Sequence, residues 1–261
     1  MLGILIQFLL PFIIAALVVV GVTIIAEKFG TKLGGILGTV PSTIVVAFVF
    51  ISLNRGEAFA SRAATVVPAE MAINLAFLFI FSILVKRSFW LAVGLGLLVW
   101  AMLSTALLLT NLQILTISVI IFCGTIAILF VMLEFVLRTP SSAPVKVHYT
   151  PTKLAIRGLF AGFIIGVTVL LSNVGEVISG IFSVFPAIFL STMVITYREH
   201  GAGFSSSIGK SMLLGSQTVA VYAIAVHFLY PWIGTLLGSL AAYGISMLVV
   251  AALLVLRNRI S

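Results

Sequence analysis

The residue whose type and position most strongly suggest chemistry is Glu70, a carboxyl group within a long apolar stretch of the chain. Asn74 follows four residues later, so on a helix the two side chains share one face. An ionisable group inside a membrane is costly and by default indicates function, here as a cation ligand or a proton carrier. Two alternatives stay open from the sequence: an interfacial carboxylate that reaches water, or a protonated carboxyl group bonded to Asn74.

Two prolines give the second chemical signal, because Pro41 and Pro186 each interrupt an apolar segment. Proline lacks an amide hydrogen and frees the carbonyl group four residues earlier, here Leu37 or Phe182. In a membrane, a freed carbonyl group is tolerated where it is buried in protein or lines a cavity. The prolines therefore predict half-helices whose ends face a central site, or else kinks that only pack helices together.

Metal ligands and catalytic groups are scarce. The chain contains no aspartate, one cysteine (Cys123), and three histidines without a second ligand at metal-binding spacing, so we expect no metal site and no cofactor. Glu134 precedes Arg138 by four residues, which is typical of an ion pair at a helix end. The motifs of zinc proteases and of serine hydrolases are missing, and we therefore expect no enzymatic activity.

These residues must be positioned by membrane helices, because the composition excludes a soluble protein. Hydrophobic residues make up 62% of the 261 residues, charged residues only 8%, and the mean hydropathy is +1.35. So little polar surface cannot cover a soluble globule, which excludes a soluble enzyme and a disulfide scaffold. The net charge of +8 is explained by membrane topology, so we expect a lipid bilayer and no nucleic acid as partner.

Apolar runs of about 20 residues predict membrane-spanning helices. The predicted spans are 3–26, 35–53, 63–85, 89–110, 112–137, 153–172, 177–197, 207–229 and 232–256. The boundary between the last two spans rests on Pro231 alone. Pro and Ser mark 138–152 as a linker between two halves of the chain.

Nine spans distribute the basic residues very unevenly between the two sides of the membrane. Twelve of the 14 fall on one side: Lys28, Lys32, Lys86, Arg87, Arg138, Lys146, Lys153, Arg157, Arg198, Lys210, Arg257 and Arg259. Only Arg55 and Arg62 fall on the other side. The positive-inside rule then predicts an inner or plasma membrane protein with its N-terminus outside and its C-terminus in the cytoplasm.

The chain also contains an internal repeat with an offset of 145 residues. Gly21-Val22-Thr23 recurs as Gly166-Val167-Thr168, and Pro41 recurs as Pro186. Further pairs in the same register are Gly30 and Gly175, Gly35 and Gly180, and Gly56 and Gly201. Because glycines and a proline in register are hard to obtain from composition alone, we interpret the repeat as a duplication.

Each copy holds four predicted spans and one further span lies between them, so the second copy enters the membrane in the opposite orientation. The predicted fold is all-α, with repeat one at 1–110, a connecting span and cytoplasmic linker at 111–152, and inverted repeat two at 153–261. Inverted repeats are common in secondary transporters, whose binding sites lie near the midplane between the repeats.

The stretch Gly180-Ile181-Phe182-Ser183-Val184-Phe185-Pro186, followed by Glu199-His200-Gly201, resembles the signature of the GlpM-like small bacterial membrane proteins. In repeat one this pattern is reduced to Gly35, Pro41 and Asn54-Arg55-Gly56. The resemblance implies a fused, two-copy version of a unit that this family has once. It supports the membrane class and implies no particular activity.

The predicted site combines the charged group, the helix breaks and nearby polar side chains. Hydroxyl groups follow Pro41 but not Pro186, so the site is expected to be asymmetric. The predicted solute- or ion-binding residues are Glu70, Asn74, Pro41, Ser42, Thr43, Pro186, Ser216 and Gln217.

The function that the sequence favours is secondary transport of a small solute by alternating access of the two repeats. A cation or a small neutral solute is preferred, because the charge pattern places no Arg or Lys in the apolar core. A non-transporting factor or scaffold in lipid or cell-envelope biogenesis is the alternative, and a channel is a weaker third. A homo-oligomer stays open.

Overall fold

A computed structural model describes residues 2–28, 41–132 and 149–260. In these ranges the regular secondary structure is helical, as the sequence predicts. The helices are α1 (Leu2–Lys28), α2 (Ser42–Arg55), α3 (Glu57–Ala64), α4 (Val67–Leu84), α5 (Phe89–Thr110), α6 (Leu115–Val131), α7 (Pro151–Leu171), α8 (Glu176–Ser183), α9 (Ala187–Gly215) and α10 (Gln217–Ile260).

Six helical segments in the described ranges are long and apolar enough to cross a membrane. They are Gly3–Ile25, Val67–Leu84, Phe89–Thr110, Pro151–Leu171, Glu176–Gly209 and Gln217–Val249. The helices α2 and α6 are apolar but shorter, and each adjoins a part of the chain outside the described ranges. The chain therefore has the helix lengths and composition of a membrane protein.

Glycines interrupt the helical path at three places with positive φ. Gly56 separates α2 from α3, Gly201 divides α9, and Gly234 divides α10. The predicted boundary between the last two spans is present but displaced, because Pro231 lies within helix and the interruption comes three residues later at Gly234. Proline can continue a helix at the cost of one hydrogen bond, whereas positive φ ends the helical path.

Substitution of Gly201 should destabilise the protein more than substitution of its neighbour Gly203. The Gly201 φ of 79° and ψ of −177° lie in a region that is essentially restricted to glycine, so Gly201→Ala should cost about 1–3 kcal/mol. Gly203 is helical, and nothing lies within 4 Å of an added Cβ, so Gly203→Ala is the matched control. Thermal unfolding in detergent measures the difference. Equal melting temperatures for the two variants would contradict the assigned backbone conformation.

Helix α1, the first long helix of the first half of the chain, packs against α7, the first long helix of the second half. An added Cβ at Gly158 would meet Ala16, and one at Gly162 would lie 2.5 Å from the carbonyl oxygen of Phe12. An added Cβ at Gly166 would meet Phe8. The residue numbers of the contacted positions decrease along α1 as those of the glycines increase along α7, so the two helices are antiparallel. Small residues four apart allow this close approach.

The centre of the fold is α4, which contacts α5, α6, α9 and α10. Most of its side chains are buried, and Phe77 and Phe81 lie fully buried in the main core. Tyr222 and Tyr230 from α10 are buried in the same cluster. The segment that carries Glu70 is therefore surrounded by protein.

Candidate functional site

The two prolines that the sequence predicts to break helices, Pro41 and Pro186, lie at one cavity. Pro41 precedes α2 with φ −72° and ψ 50°, and Pro186 precedes α9 with φ −72° and ψ 35°. Both line a recess with about 50 Å³ of free space, together with Thr43, Met71 and Val219. Its wall is mostly apolar and is built from α2, α4, α9, α10 and the segment before Pro186. The structure thus brings Pro41, Thr43 and Pro186 together, although 145 residues separate the prolines.

The backbone carbonyl groups before Pro186 accept hydrogen bonds from partners that the sequence did not predict. The carbonyl group of Phe182, which Pro186 leaves without its usual helical partner, accepts a hydrogen bond of 3.1 Å from the amide of Phe185. The neighbouring carbonyl group of Val184 instead accepts a hydrogen bond of 2.8 Å from Asn74 Nδ2. Asn74 therefore ties α4 to the break between α8 and α9. Leu37 lies outside the described residues.

Removing this tie should destabilise the fold. Asn74→Ala would leave the buried Val184 carbonyl group without the Asn74 donor, at a cost of about 1–3 kcal/mol. Asn173→Ala removes an exposed amide whose bonds are 3.2 and 3.4 Å long, and it should cost much less. Thermal unfolding of both variants in detergent checks the difference. If both variants melt like the wild type, Asn74 does not stabilise the break.

Glu70 is completely buried between α4 and α5. Its Oε1 accepts a hydrogen bond of 2.8 Å from the Ser104 hydroxyl, and its Oε2 has no partner among the described residues. The carboxyl group therefore does not reach water as an interfacial carboxylate would, and its hydrogen bond goes to Ser104 rather than to Asn74. A buried carboxyl group without a cationic partner must carry a proton or hold a cation.

Glu70 does not line the cavity, whereas the next residue of α4, Met71, does. Trp100 precedes Ser104 by four residues on α5, and its buried indole N–H faces the Glu70 carboxyl group without forming a well-aligned hydrogen bond. The Trp100 ring packs edge-on against Phe185, with centroids 4.8 Å apart, and Phe185 lines the cavity. Aromatic packing thus connects the surroundings of Glu70 to the cavity.

The other predicted site residues lie apart from the cavity wall. Ser42 is buried at the start of α2, next to Thr43. Ser216 is buried and donates a hydrogen bond of 2.7 Å to the Leu213 carbonyl group. Gln217 is half-buried at the first residue of α10. Glu134 and Arg138 lie outside the described residues, as do Gly30 and Gly35 of the repeat pattern.

Sequence reasoning missed Arg157. Its place in the charge pattern assigned it to the cytoplasmic surface, but its side chain is only 5% exposed within α7. Its Nη1 donates hydrogen bonds of 2.7 Å to Thr192 and 3.3 Å to Ser191. The premise that no basic residue lies in the core was therefore wrong. The available signal was its position seven residues into α7, beyond the polar start of that span.

An exposed ion pair, Arg62 with Glu176, joins the two halves of the chain. Arg62 Nη2 lies 2.7 Å from Glu176 Oε1, and Nε donates to the same oxygen. The hydrogen bond to Glu176 raises the pKa of Arg62 above its ordinary value. This pair links α3 to the first turn of α8. In the described part of the chain, no group of three or more His, Cys, Asp or Glu residues could hold a metal ion.

Comparison with known proteins gives one match. A family model described as a protein of unknown function (DUF3147) matches residues 8–114, which include α2–α5 and most of α1. This is less than half of the chain, and it falls almost entirely within the predicted repeat one. No curated protein and no solved structure matches the chain. The resemblance to GlpM-like proteins stays a prediction.

Proposed function

We propose that this chain is a secondary transporter that moves a small solute across the membrane by alternating access of two inverted repeats. The observation that carries the proposal is the position of Pro41 and Pro186, which line the same cavity from two different halves of the chain. Discontinuous helices that meet at a central cavity are a recurring binding arrangement in secondary transporters.

Backbone geometry at equivalent positions supports the duplication. Pro41 and Pro186 have ψ of 50° and 35°, which are neither helical nor extended, and Gly56 and Gly201 have φ of 89° and 79°. Each proline is followed by a helix that ends at the equivalent glycine. The recurrence of these unusual backbone conformations at equivalent positions favours a common origin of the two halves.

The antiparallel packing of α1 and α7 supports the inverted sense of the repeat. These helices are equivalent under the offset of 145 residues, and their contacts run in opposite directions. Equivalent helices are antiparallel when a twofold axis lies in the membrane plane, as in inverted-topology transporters. The proposed orientation places the Arg62–Glu176 pair outside and the C-terminus of α10 in the cytoplasm.

The burial of Glu70 supports a role for this residue in coupling transport to a proton or a cation. Glu70 is a buried carboxyl group without an ionic partner among the described residues, on the helix that also supplies Met71 to the cavity. A group of this kind can exchange a proton or a cation when the cavity opens to water. The solute occupies the cavity, and Glu70 supplies the coupling charge.

Cysteine accessibility tests alternating access without knowledge of the solute. Exposed Cys123 is first replaced by Ser, and Thr43→Cys then places one thiol in the cavity wall. A membrane-impermeant thiol reagent is applied to vesicles from one side or from the other. The transporter proposal predicts that Thr43→Cys is labelled from both sides, because each side has access to the cavity in turn.

Arg87→Cys and Gln113→Cys are the controls, since these exposed residues flank opposite ends of α5. Each should be labelled from one side only, and the two sides should differ. Labelling of Thr43→Cys from a single side, or from neither, would contradict alternating access. That outcome would favour the alternative of a non-transporting membrane factor.

A further inference from the structure

Arg157 is a buried cation without an acidic partner among the described residues. Its side chain is 5% exposed, and its recorded hydrogen bonds go to the hydroxyl groups of Ser191 and Thr192 on α9. The Tyr149 ring lies 5.8 Å from the guanidinium carbon. Burial of a charged group is costly unless an opposite charge compensates it, and neutral hydroxyl groups and a ring compensate it only in part.

The guanidinium group keeps unused hydrogen-bonding capacity. It has five N–H donors, and its buried Nε has no partner in the described part of the chain. Glu199 lies on α9, two turns after Thr192. It is paired with Lys153, which lies on α7 one turn before Arg157. Glu199 is thus already paired with another cation, and within the described ranges Arg157 has no carboxylate that compensates its charge.

The two helices that hold Arg157 border the cavity lined by Pro41 and Pro186. Thr192 follows the cavity-lining residue Ile188 by four residues, so it lies on the same face of α9, one turn further along. Phe160, three residues after Arg157, packs edge-on against Phe185 with centroids 6.3 Å apart, and Phe185 also lines the cavity. Both helices that hold the guanidinium group therefore border the cavity wall.

We infer that Arg157, Ser191 and Thr192 form a binding site for one oxyanion group, a phosphate or a carboxylate. The planar guanidinium fork matches the paired oxygens of either group. The Thr192 hydroxyl accepts a hydrogen bond from Arg157 and can donate its own proton to a bound oxygen. A free solute or a lipid headgroup could carry the anion. The inference goes beyond the proposed function, because binding requires no transport.

Thermal unfolding of the full chain in detergent tests the site with defined probes. Sodium phosphate and sodium butyrate are compared with sodium chloride at equal ionic strength, and phosphatidylglycerol is compared with phosphatidylcholine in mixed micelles. At 100 times its dissociation constant, a probe that binds should raise the melting temperature by about 5 °C or more. A response to phosphatidylglycerol alone assigns the site to a lipid headgroup, whereas a response to phosphate or butyrate assigns it to a free anion.

Arg157→Gln should abolish the response, and Arg87→Gln, the same change at an exposed arginine, should retain it. Arg157→Lys keeps the charge but loses the fork, and it should weaken binding at least about tenfold. If Arg157→Gln does not fold, Arg157→Lys and Thr192→Val carry the test, and both should weaken the response. The inference is overturned if no anionic probe exceeds its control, or if these variants respond like the wild type.

Discussion

Glu70→Gln should remove the response of this protein to cations or to protons while leaving the folded yield intact. The amide is nearly isosteric with the carboxyl group, and its oxygen can still accept the hydrogen bond from Ser104. It can neither release a proton nor balance a bound cation. A cation at 100 times its dissociation constant stabilises the folded protein by about 2.7 kcal/mol, and the variant should lose that entire amount.

The measurement is thermal unfolding of wild type and variant in detergent over mono- and divalent cations and over pH. Glu57→Gln is the matched control, because Glu57 is an exposed carboxylate that accepts a hydrogen bond of 3.1 Å from Thr235. Solute flux that depends on a pH or cation gradient should fall at least about tenfold in Glu70→Gln, which corresponds to about 1.4 kcal/mol. An identical response of wild type and Glu70→Gln would remove Glu70 from the coupling mechanism.

Gly162→Ile should prevent correct assembly of the helices and sharply reduce the folded yield. Already the first atom of the new side chain would lie 2.5 Å from the Phe12 carbonyl oxygen and 3.1 Å from Ala16 Cβ. The obstacle is helix backbone, which cannot move aside as a flexible side chain can, so α1 and α7 must separate. Overpacking of a core typically costs about 1–3 kcal/mol, and this site should reach or exceed the upper value.

Gly124→Ile on α6 is the matched control, since nothing lies within 4 Å of an added Cβ there and the position is exposed. Size-exclusion profiles and melting temperatures of the two variants in detergent give the comparison. A Gly162→Ile protein that is monodisperse and melts with the control would show that the close α1–α7 contact is not needed for folding. It would also weaken the argument for an inverted repeat.

The two buried charges define complementary experiments. Glu70 lies on α4 and is bonded to α5, whereas Arg157 lies on α7 and is bonded to α9. Variants of one residue therefore need not disturb the surroundings of the other. If Glu70→Gln removes only cation or proton responses and Arg157→Gln removes only anion responses, the two sites are separate. If either variant removes both, the two charges are coupled through the cavity between them.

Several features followed from the sequence because they depend on local chemistry. The high apolar content determines the membrane class, since no folding pattern could cover so many apolar side chains with polar ones. The position of Pro186 predicted the break between α8 and α9, because the pyrrolidine ring removes a backbone donor wherever it occurs. The repeated Gly56 and Gly201 could be matched in sequence, and both adopt positive φ, which glycine accepts without strain.

The tertiary structure decided which groups meet. Spacing along α4 placed Asn74 and Glu70 on one face, but Asn74 bonds to Val184, Glu70 bonds to Ser104, and neither bonds to the other. Arg157 was counted as a surface charge because charge counting cannot distinguish a basic side chain at a helix end from one covered by a neighbouring helix. The partners of a helix face come from residues far away in the chain, so the local sequence does not specify them.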